Sequence, residues 1–286
     1  MTINYWYEYS KIIGIKPIDK YELIIRFKNP EILFNLTDHE ILCSGIISQS
    51  QIKHIRSIEY TDHINDFLEK EKITVFNIYD CIYPELLKRI YDPPVVLFAK
   101  GNLSLLKRKL IAIVGSRKNN GYSKVMCEEI SRELSLNEYV IVSGMAAGID
   151  SIAHKSAVKG NTIAVLGFGF NMCYPKENQS LMKEIGLNSL LLSEYPMNRK
   201  VEKMNFPMRN RIISGLCFAT IIIEASEKSG SLITADFTIE NNRELFVLPQ
   251  QIGCHSAGGN KLIKDGATII SSIDELIEEI KNVENN

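Results

Sequence analysis

Lys109-Leu-Ile-Ala-Ile-Val-Gly-Ser-Arg117 and Glu138-Tyr-Val-Ile-Val-Ser-Gly-Met-Ala-Ala-Gly-Ile-Asp150 decide how this chain is read. Each is a short β-branched run, apolar at nearly every position, that breaks into a turn of small residues. Five more runs of the same kind begin at residues 161, 189, 218, 244 and 267. Strands buried on both faces of a parallel sheet have this composition, because neither face is left to water. The spacing leaves room for the crossover of about a dozen residues that a parallel connection needs. The intervening segments supply the helices: Met126, Ile130 and Leu134 recur four apart, and Ile273, Leu276, Ile277 and Ile280 form one apolar stripe. The predicted fold class is α/β, an extended Rossmann-like, doubly wound and mostly parallel sheet.

Residues 1–70 have a different texture. Apolar positions there follow helical spacing, as in Leu23-Ile-Ile-Arg-Phe27 and Ile32-Leu-Phe34, and polar turns cut them into short helices. A small all-α domain over 1–70 is expected, with the Rossmann-like domain over 71–286. At the junction, Ile73-Thr-Val-Phe-Asn-Ile78, Tyr83-Pro-Glu-Leu-Leu87 and Tyr91-Asp-Pro-Pro-Val-Val-Leu-Phe98 read as strand, short helix and strand added to the main sheet. Paired prolines cannot continue a helix and favour extended backbone.

Composition excludes several classes. Apolar residues make up 45% and charged residues 23% of the 286, as in a globular chain with a proper core. No apolar run approaches the roughly 18 residues of a membrane span, and Met1-Thr-Ile-Asn-Tyr-Trp6 lacks the basic start and apolar stretch of a signal peptide. Cys43, Cys81, Cys127, Cys173, Cys217 and Cys254 stand far apart, without a Cys-x-x-Cys pair, so neither a zinc site nor a disulfide framework is expected. A cytoplasmic location follows by default. Net charge is −1, so a polyanion would have to be bound through locally concentrated basic groups.

Open parallel sheets bind ligands outside the carboxyl ends of their strands. Four such ends carry small-residue turns: Gly115-Ser-Arg-Lys118, Ser143-Gly-Met-Ala-Ala-Gly-Ile-Asp150, Gly167-Phe-Gly-Phe170 leading to Tyr174-Pro-Lys176, and Ser229-Gly-Ser231 after Glu224. Such turns aim backbone N–H groups and helix N-termini at anions. A row of four suits a phosphate chain; the alternative is that the glycines only close tight βα turns. The densest basic segment, Arg199 to Arg211, holds five Lys/Arg against one Glu and includes Phe206. Arginines beside an aromatic ring neutralise phosphates while the ring stacks on a base. A charge run is otherwise a solvated face, but Arg209-Asn-Arg211 is tethered to the core by Ile212-Ile213.

Enzymatic readings are weaker. The chain has no Gly-x-x-x-x-Gly-Lys-Ser/Thr loop and no Gly-x-Ser-x-Gly elbow. Gly167-Phe-Gly-Phe-Asn-Met172 begins like a dinucleotide fingerprint but has Met at the third glycine. Asp150 and His154, four apart, are an acid/base or metal pair only if a third group joins them; otherwise Asp150 is an N-cap. Glu194 and Glu224 end buried strands, either as catalytic carboxylates or as groups that orient Arg209, Arg211 or loop amides.

Taken in order, Tyr83-Pro84, Asp92-Pro-Pro-Val95, Val114-Gly-Ser-Arg117, Val142-Ser-Gly-Met-Ala-Ala-Gly-Ile-Asp150, Ala153-His154, Tyr174-Pro-Lys176, Ser193-Glu194, Phe206-Pro-Met-Arg-Asn-Arg-Ile-Ile213, Glu224-Ala225, Ser229-Gly-Ser231, Gly259-Asn-Lys-Leu-Ile263 and Gly266-Ala267 resemble the DNA-processing protein A family (DprA, also called Smf). The match runs from about residue 70 to 270. The resemblance implies an extended Rossmann fold behind a small sterile-alpha-motif-like domain. It also implies a dimeric single-stranded DNA binder that protects incoming DNA and loads the RecA recombinase in natural transformation, without catalysis or cofactor. Carried over by motif, Arg117, Lys176 and Arg209-Asn210-Arg211 become phosphate contacts, and the Ser143-Gly144 and Ser229-Gly230-Ser231 turns give backbone contacts. Gly115, Ser116, Gly169 and Phe206 complete the expected DNA site.

Departures from the family pattern are visible. The second motif more often has a basic residue where Ala147 stands, and Gln250 replaces the usual Gly after Pro249. The first 70 residues lack a clear Gly-x-Gly hairpin, so no DNA binding is assigned there. The chain ends at Asn286, too soon for the C-terminal winged helix of many relatives. Phe170, Tyr174 and Phe206 are the expected stacking rings, and the last apolar helix with Leu262-Ile263 is the expected self-association surface. The rival from another class is a Rossmann-like nucleotide hydrolase, which usually carries a Pro-Gly-Gly-x-Gly-Thr turn where this chain has Ser229-Gly-Ser-Leu-Ile-Thr234. A third reading is an interaction scaffold with a vestigial pocket.

Overall fold

The computed structural model describes residues 4–157, 160–252 and 257–284. Six short helices come first: α1 (Tyr5–Ser10), α2 (Pro17–Phe27), α3 (Pro30–Asn35), α4 (Asp38–Leu42), α5 (Gln49–Arg56) and α6 (Ile64–Lys70). Their starts are written in the sequence. Pro17 and Pro30 open α2 and α3, where a missing N–H costs nothing. Thr37 with Glu40 and Ser48 with Gln51 form capping boxes on α4 and α5.

Then follow β1 (Ile73–Asn77), α7 (Glu85–Lys88), β2 (Val96–Gly101), β3 (Leu110–Val114), α8 (Gly121–Leu136), β4 (Val140–Ser143), α9 (Ile149–Ser156), β5 (Thr162–Leu166), α10 (Gln179–Asn188), β6 (Leu190–Ser193), α11 (Asn205–Leu216), β7 (Ala219–Ile222), α12 (Gly230–Glu240), β8 (Glu244–Val247), α13 (Ala257–Lys264), β9 (Thr268–Ile269) and α14 (Ile273–Glu284). The predicted α/β architecture is present. One sheet runs β1-β2-β6-β5-β4-β3-β7-β8-β9, parallel from β6 to β9. β2 pairs antiparallel with β6, Phe98 facing Ser193, and β1 pairs antiparallel with β2, Ile73 facing Lys100. The second junction strand starts at Val96, later than expected. Asp92-Pro93-Pro94 precedes the ladder, since proline has no N–H to donate to it.

Alternation along each strand divides the core. Ile111, Ile113, Ile141 and Ile221 join Ile130, Leu134 and Ile149 of α8 and α9 and Leu276 and Ile280 of α14 on one face. Ala112, Val114, Val140, Val142, Val165 and Ile222 meet Ile212, Ile213 and Leu216 of α11 on the other. The amino-terminal helices rest on the β1–β2 end: the rings of Tyr7 and Phe98 meet edge-on at 5.8 Å, and the Tyr79 hydroxyl donates to Ile24 O at 3.0 Å. No helix among the described residues is long and apolar enough to cross a membrane. Cys43, Cys81, Cys127, Cys173 and Cys217 are free thiols, and Cys254 lies outside the described residues.

Strand order reverses at β3, which has β4 on one side and β7 on the other. All the turns singled out in the sequence therefore leave the same edge of the sheet.

Candidate nucleic-acid interface

At that edge an exposed strip joins three elements. Arg117, just after β3, holds its guanidinium 5.8 Å from the ring centroid of Phe206, in the first turn of α11. The Tyr174 ring, from the β5–α10 connection, lies 5.6 Å from Phe206 at 44°. Tyr174 is 44% exposed, Arg117 and Lys176 are exposed, and Phe206 is half-buried. Cation, half-buried ring, exposed ring and second cation thus lie on one edge. Gly230, at the start of α12, is exposed there too, with open space around its Cα. Phe170 is half-buried against the core and contributes less open surface.

Several residues expected to face phosphate instead point inward. The Arg209 side chain is 4% exposed; its Nη1 donates to Gly144 O at 2.6 Å and to Val165 O, and its Nε to Asn210 Oδ1 at 3.1 Å. Burial lowers its pKa to about 10 against the raising influence of Asp150, so it stays a cation at neutral pH. Asn210 donates to Gly230 O at 3.1 Å and fixes the α12 start. Arg211 is 1% exposed: its Nη2 donates to both Glu194 oxygens at 2.8 Å, and its Nε lies 3.2 Å from Asp92. The two carboxylates hold the Arg211 pKa above its usual value although burial opposes them. Arg209-Asn-Arg211 is thus a hub that ties together the β4 loop, the α12 turn and the β6 loop. Its charges are spent on protein oxygens, which corrects the expectation of direct phosphate contact.

The second motif is also internally satisfied. Asp150 accepts from the amides of Gly144 at 3.1 Å and Ala146 at 3.3 Å, and the N-cap of α9 is Gly148 rather than Asp150. Burial raises the Asp150 pKa and Arg209 pulls it back. A Cβ at Gly144 would lie 2.5 Å from the Arg209 guanidinium, so glycine makes room for the buried cation. Ser143 Oγ donates to Ile113 O at 2.6 Å. Ser143 and Gly144 therefore offer no open donor where one was expected, whereas Ala147 is exposed at the tip of the loop. Gly169 is buried and its N–H goes to Arg199 O at 3.1 Å. Ser229 caps α12 through the Ser231 amide at 3.3 Å, and Ser231 is buried. Gly115 and Ser116 are half-buried. A Cβ at Gly115 would meet Ile149 at 2.7 Å, so the β3 turn packs close on α9.

The crevice where Rossmann folds seat a pyrophosphate is filled by the chain itself. Asn120 caps α8 through the Ser123 amide at 2.7 Å, its own N–H goes to Glu224 Oε2 at 3.0 Å, and its Nδ2 to Gln250 Oε1 at 3.1 Å. Gln250 Nε2 donates in turn to Ile223 O at 2.9 Å. A carboxylate and an amide stand at the N-terminus of the helix after β3, where a dinucleotide phosphate would need free amides. Glu224 orients a loop amide and Glu194 orients Arg211, as the orienting alternative held.

His154 and Asp150 do not act as a pair. Thr162 Oγ1 donates to Ile141 O, so His154 Nδ1 carries the proton and donates to Thr162 Oγ1 at 2.7 Å. Burial drives the His154 pKa to about 3, so the ring is neutral. No group of three or more metal-ligating side chains is found among the described residues. Sequence reasoning missed Asn178, which is buried and donates to Met145 O at 2.9 Å and Ser151 Oγ at 2.8 Å, clamping the Lys176 segment onto the β4 loop. An Asn two residues after Lys176 carries no motif signal.

The comparisons fit this architecture. The sequence profile of the DNA recombination-mediator protein A family matches residues 74–281. The chain belongs to that family. It is 46% identical to the DNA processing protein DprA of Bacillus subtilis over 202 residues, 69% of this chain and 68% of that protein. The Streptococcus pneumoniae DprA is 43% identical over 221 residues, 74% of this chain and 76% of that one. The crystal structure of DNA processing protein A from Streptococcus pneumoniae superposes with TM-score 0.82 at 35% identity, covering 98% of this chain and 99% of that one. The Helicobacter pylori DNA processing protein A, described for its single-stranded DNA binding mode, superposes with TM-score 0.69 at 34% identity, covering 74% of this chain and 96% of that one. The Streptococcus match takes in nearly the whole chain, amino-terminal helices included.

Proposed function

We propose that this chain binds single-stranded DNA along the carboxyl edge of its sheet and acts as a recombination mediator that protects the strand and loads RecA onto it in natural transformation. One observation carries the reading: Arg117 and Lys176 are exposed cations on the edge where the Phe206 and Tyr174 rings meet, on an otherwise near-neutral protein. Arg117 and Lys176 neutralise phosphates, Tyr174 and Phe206 stack on unpaired bases, and the Gly115-Ser116 and Ser229-Gly230 turns face the backbone. Phosphates carry no base identity, so binding is tolerant of sequence. A duplex keeps its bases paired and offers no ring to the platform. Arg209, Asn210 and Arg211 act as positioning residues that tie the three loops together.

In this reading residues 71–286 are the binding domain, and residues 1–70 are an accessory sterile-alpha-motif-like domain. The protein works in the cytoplasm without catalysis. A nucleotide hydrolase is disfavoured because Glu224 is engaged by Asn120 and lies across the phosphate position. A homodimer is supported at the other end of the sheet. β9 is a two-residue edge strand, with exposed Ile269 and the exposed Ile252 before it, and Leu262 and Ile263 only half-buried. The α14 stripe is spent on α8 and the sheet, with Leu276 and Ile280 buried, which removes it as the self-association surface.

The test is RecA nucleation on a single strand precoated with single-strand-binding protein. Adding this protein should shorten the nucleation lag, and the Arg117→Ala/Lys176→Ala variant should not. A lag unchanged by the native protein would contradict the mediator reading.

A further inference from the structure

Between the amino-terminal helices and the sheet edge lies an open cleft of about 600 Å³. Such a volume falls in the roughly 300–1,000 Å³ range of small-ligand pockets, which favour domain junctions. Lys11, Lys20, Arg199, Glu194, Tyr195 and Met208 contribute to its walls. Three of the four charged groups are cations. The fourth, Glu194, is held by the buried Arg211 guanidinium, so its charge is compensated from behind. Lys11 is paired with buried Glu8, and Arg199 with exposed Glu202. Arg199 keeps a buried Nε without an acceptor among the described residues. Lys20 donates to Ile12 O at 3.1 Å and lies 5.5 Å from the Tyr9 ring centroid, with no carboxylate in ion-pair contact among the described residues.

The cleft and the aromatic platform share the loop after β6 and the start of α11. The segment from Tyr195 to Arg199 forms one of its walls, and its outer face holds the β5 turn: Gly169 N–H donates to Arg199 O at 3.1 Å and Asn171 N–H to Met197 O at 3.1 Å. A Cβ at Gly169 would lie 2.1 Å from Pro196 O, so the two loops touch backbone to backbone. α11 reaches both surfaces within its first turn, with Phe206 on the platform and Met208 on the cleft.

We propose that the cleft receives the nucleotides that follow those on the platform, so that one single strand runs from Arg117 past Phe206 and Tyr174 into the domain junction. This rests on the single-strand reading above and extends it to a second subsite. Lys20 and Arg199 contact phosphate there, and Tyr195, half-buried beside them, packs against a base. The amino-terminal helices then contribute to DNA binding through the cleft wall, without a motif of their own.

The experiment compares oligothymidylates of about 6 and about 20 nucleotides, bracketing the ~4–16 nucleotides usual for a single binding module, on the full chain and on Lys20→Gln/Arg199→Gln. The long strand should bind the variant at least about tenfold more weakly, as expected for losing charge-assisted contacts. Its logarithmic salt slope should drop by about 1.4, two contacts at ~0.7 each. The short strand should bind both proteins alike. In the native protein, 5-iododeoxyuridine beyond the sixth position of the long strand should photocross-link to Tyr195. That readout stands even where the variant loses stability. Equal long-strand binding by both proteins, with no cross-link in the cleft, would overturn the subsite and leave the platform intact. Failure of both strands to bind the native protein would instead overturn the single-strand reading, and the subsite with it.

Discussion

The Arg117 guanidinium lies 5.8 Å from the centre of the Phe206 ring, which places a phosphate-seeking cation and a stacking surface from two different loops in contact. A cation over an aromatic face is attracted by the ring quadrupole. In the proposed site it would also set the spacing between backbone and base contacts. The two kinds of contact make separable predictions.

Removing the ring should weaken binding without changing its salt dependence. Phe206→Ala is expected to lose roughly 1–3 kcal/mol per stacked base. Phe206→Leu, which still covers Gly167, should lose most of the same affinity while keeping the thermal midpoint. Fluorescence titration at several salt concentrations, beside thermal unfolding, checks both.

Ala147 offers a gain. It is exposed at the tip of the β4 loop, on the edge that carries Arg117 and Lys176. Ala147→Arg should tighten single-strand binding and steepen the logarithmic salt slope by about 0.7, one added phosphate contact. An unchanged slope would show that the strand does not pass this loop.

Gly144→Ala tests the hub. The added Cβ would fall 2.5 Å from Arg209 Nη2, so the guanidinium must leave Gly144 O and Val165 O. Arg211→Ala is harsher, because it leaves Glu194 and Asp92 facing each other without their cation. Breaking a buried pair in this way costs about 3–5 kcal/mol. Arg211→Lys should recover little, since a single ammonium cannot reproduce the bonds to both carboxylates. Chemical denaturation measures each loss.

How far the sequence revealed this arrangement depends on the residue. The strands were legible because Leu110-Ile-Ala-Ile-Val114 and its counterparts are buried on both faces and leave no room for a competing period. The platform was legible in part, since Arg117, Lys176 and Phe206 each follow a strand end or open a helix. Arg209 and Arg211 misled, because a run of arginines beside a ring reads as phosphate binding when only charge is visible. Their true partners, Gly144 O, Glu194 and Asp92, meet them only once β4, β6 and the Pro93-Pro94 segment lie side by side. Asn120, Asn178 and Gln250 were obscure for the same reason: amide side chains acquire roles from neighbours that are distant in the chain.

The buried imidazole supplies a pH signature. The His154 pKa falls from its ordinary 6.5 to about 3 because burial penalises the charged ring. The unfolded chain takes up this proton before the folded one does. His154 therefore contributes stability fully above pH 6.5, and this is lost progressively as the pH falls towards 3, with a slope of at most about 1.4 kcal/mol per pH unit. His154→Gln should flatten the stability profile between pH 6.5 and 4 relative to the native protein, whatever its stability at pH 7.

The most direct measurement is the salt dependence of binding to a fluorescent single strand by the native protein and the Arg117→Ala/Lys176→Ala variant, with a duplex of the same sequence as control. The native protein should prefer the single strand. The variant should bind every sequence more weakly, with its logarithmic salt slope reduced by about 1.4, two contacts at ~0.7 each. A variant that binds with native affinity and native slope would mean that DNA does not run along this edge of the sheet.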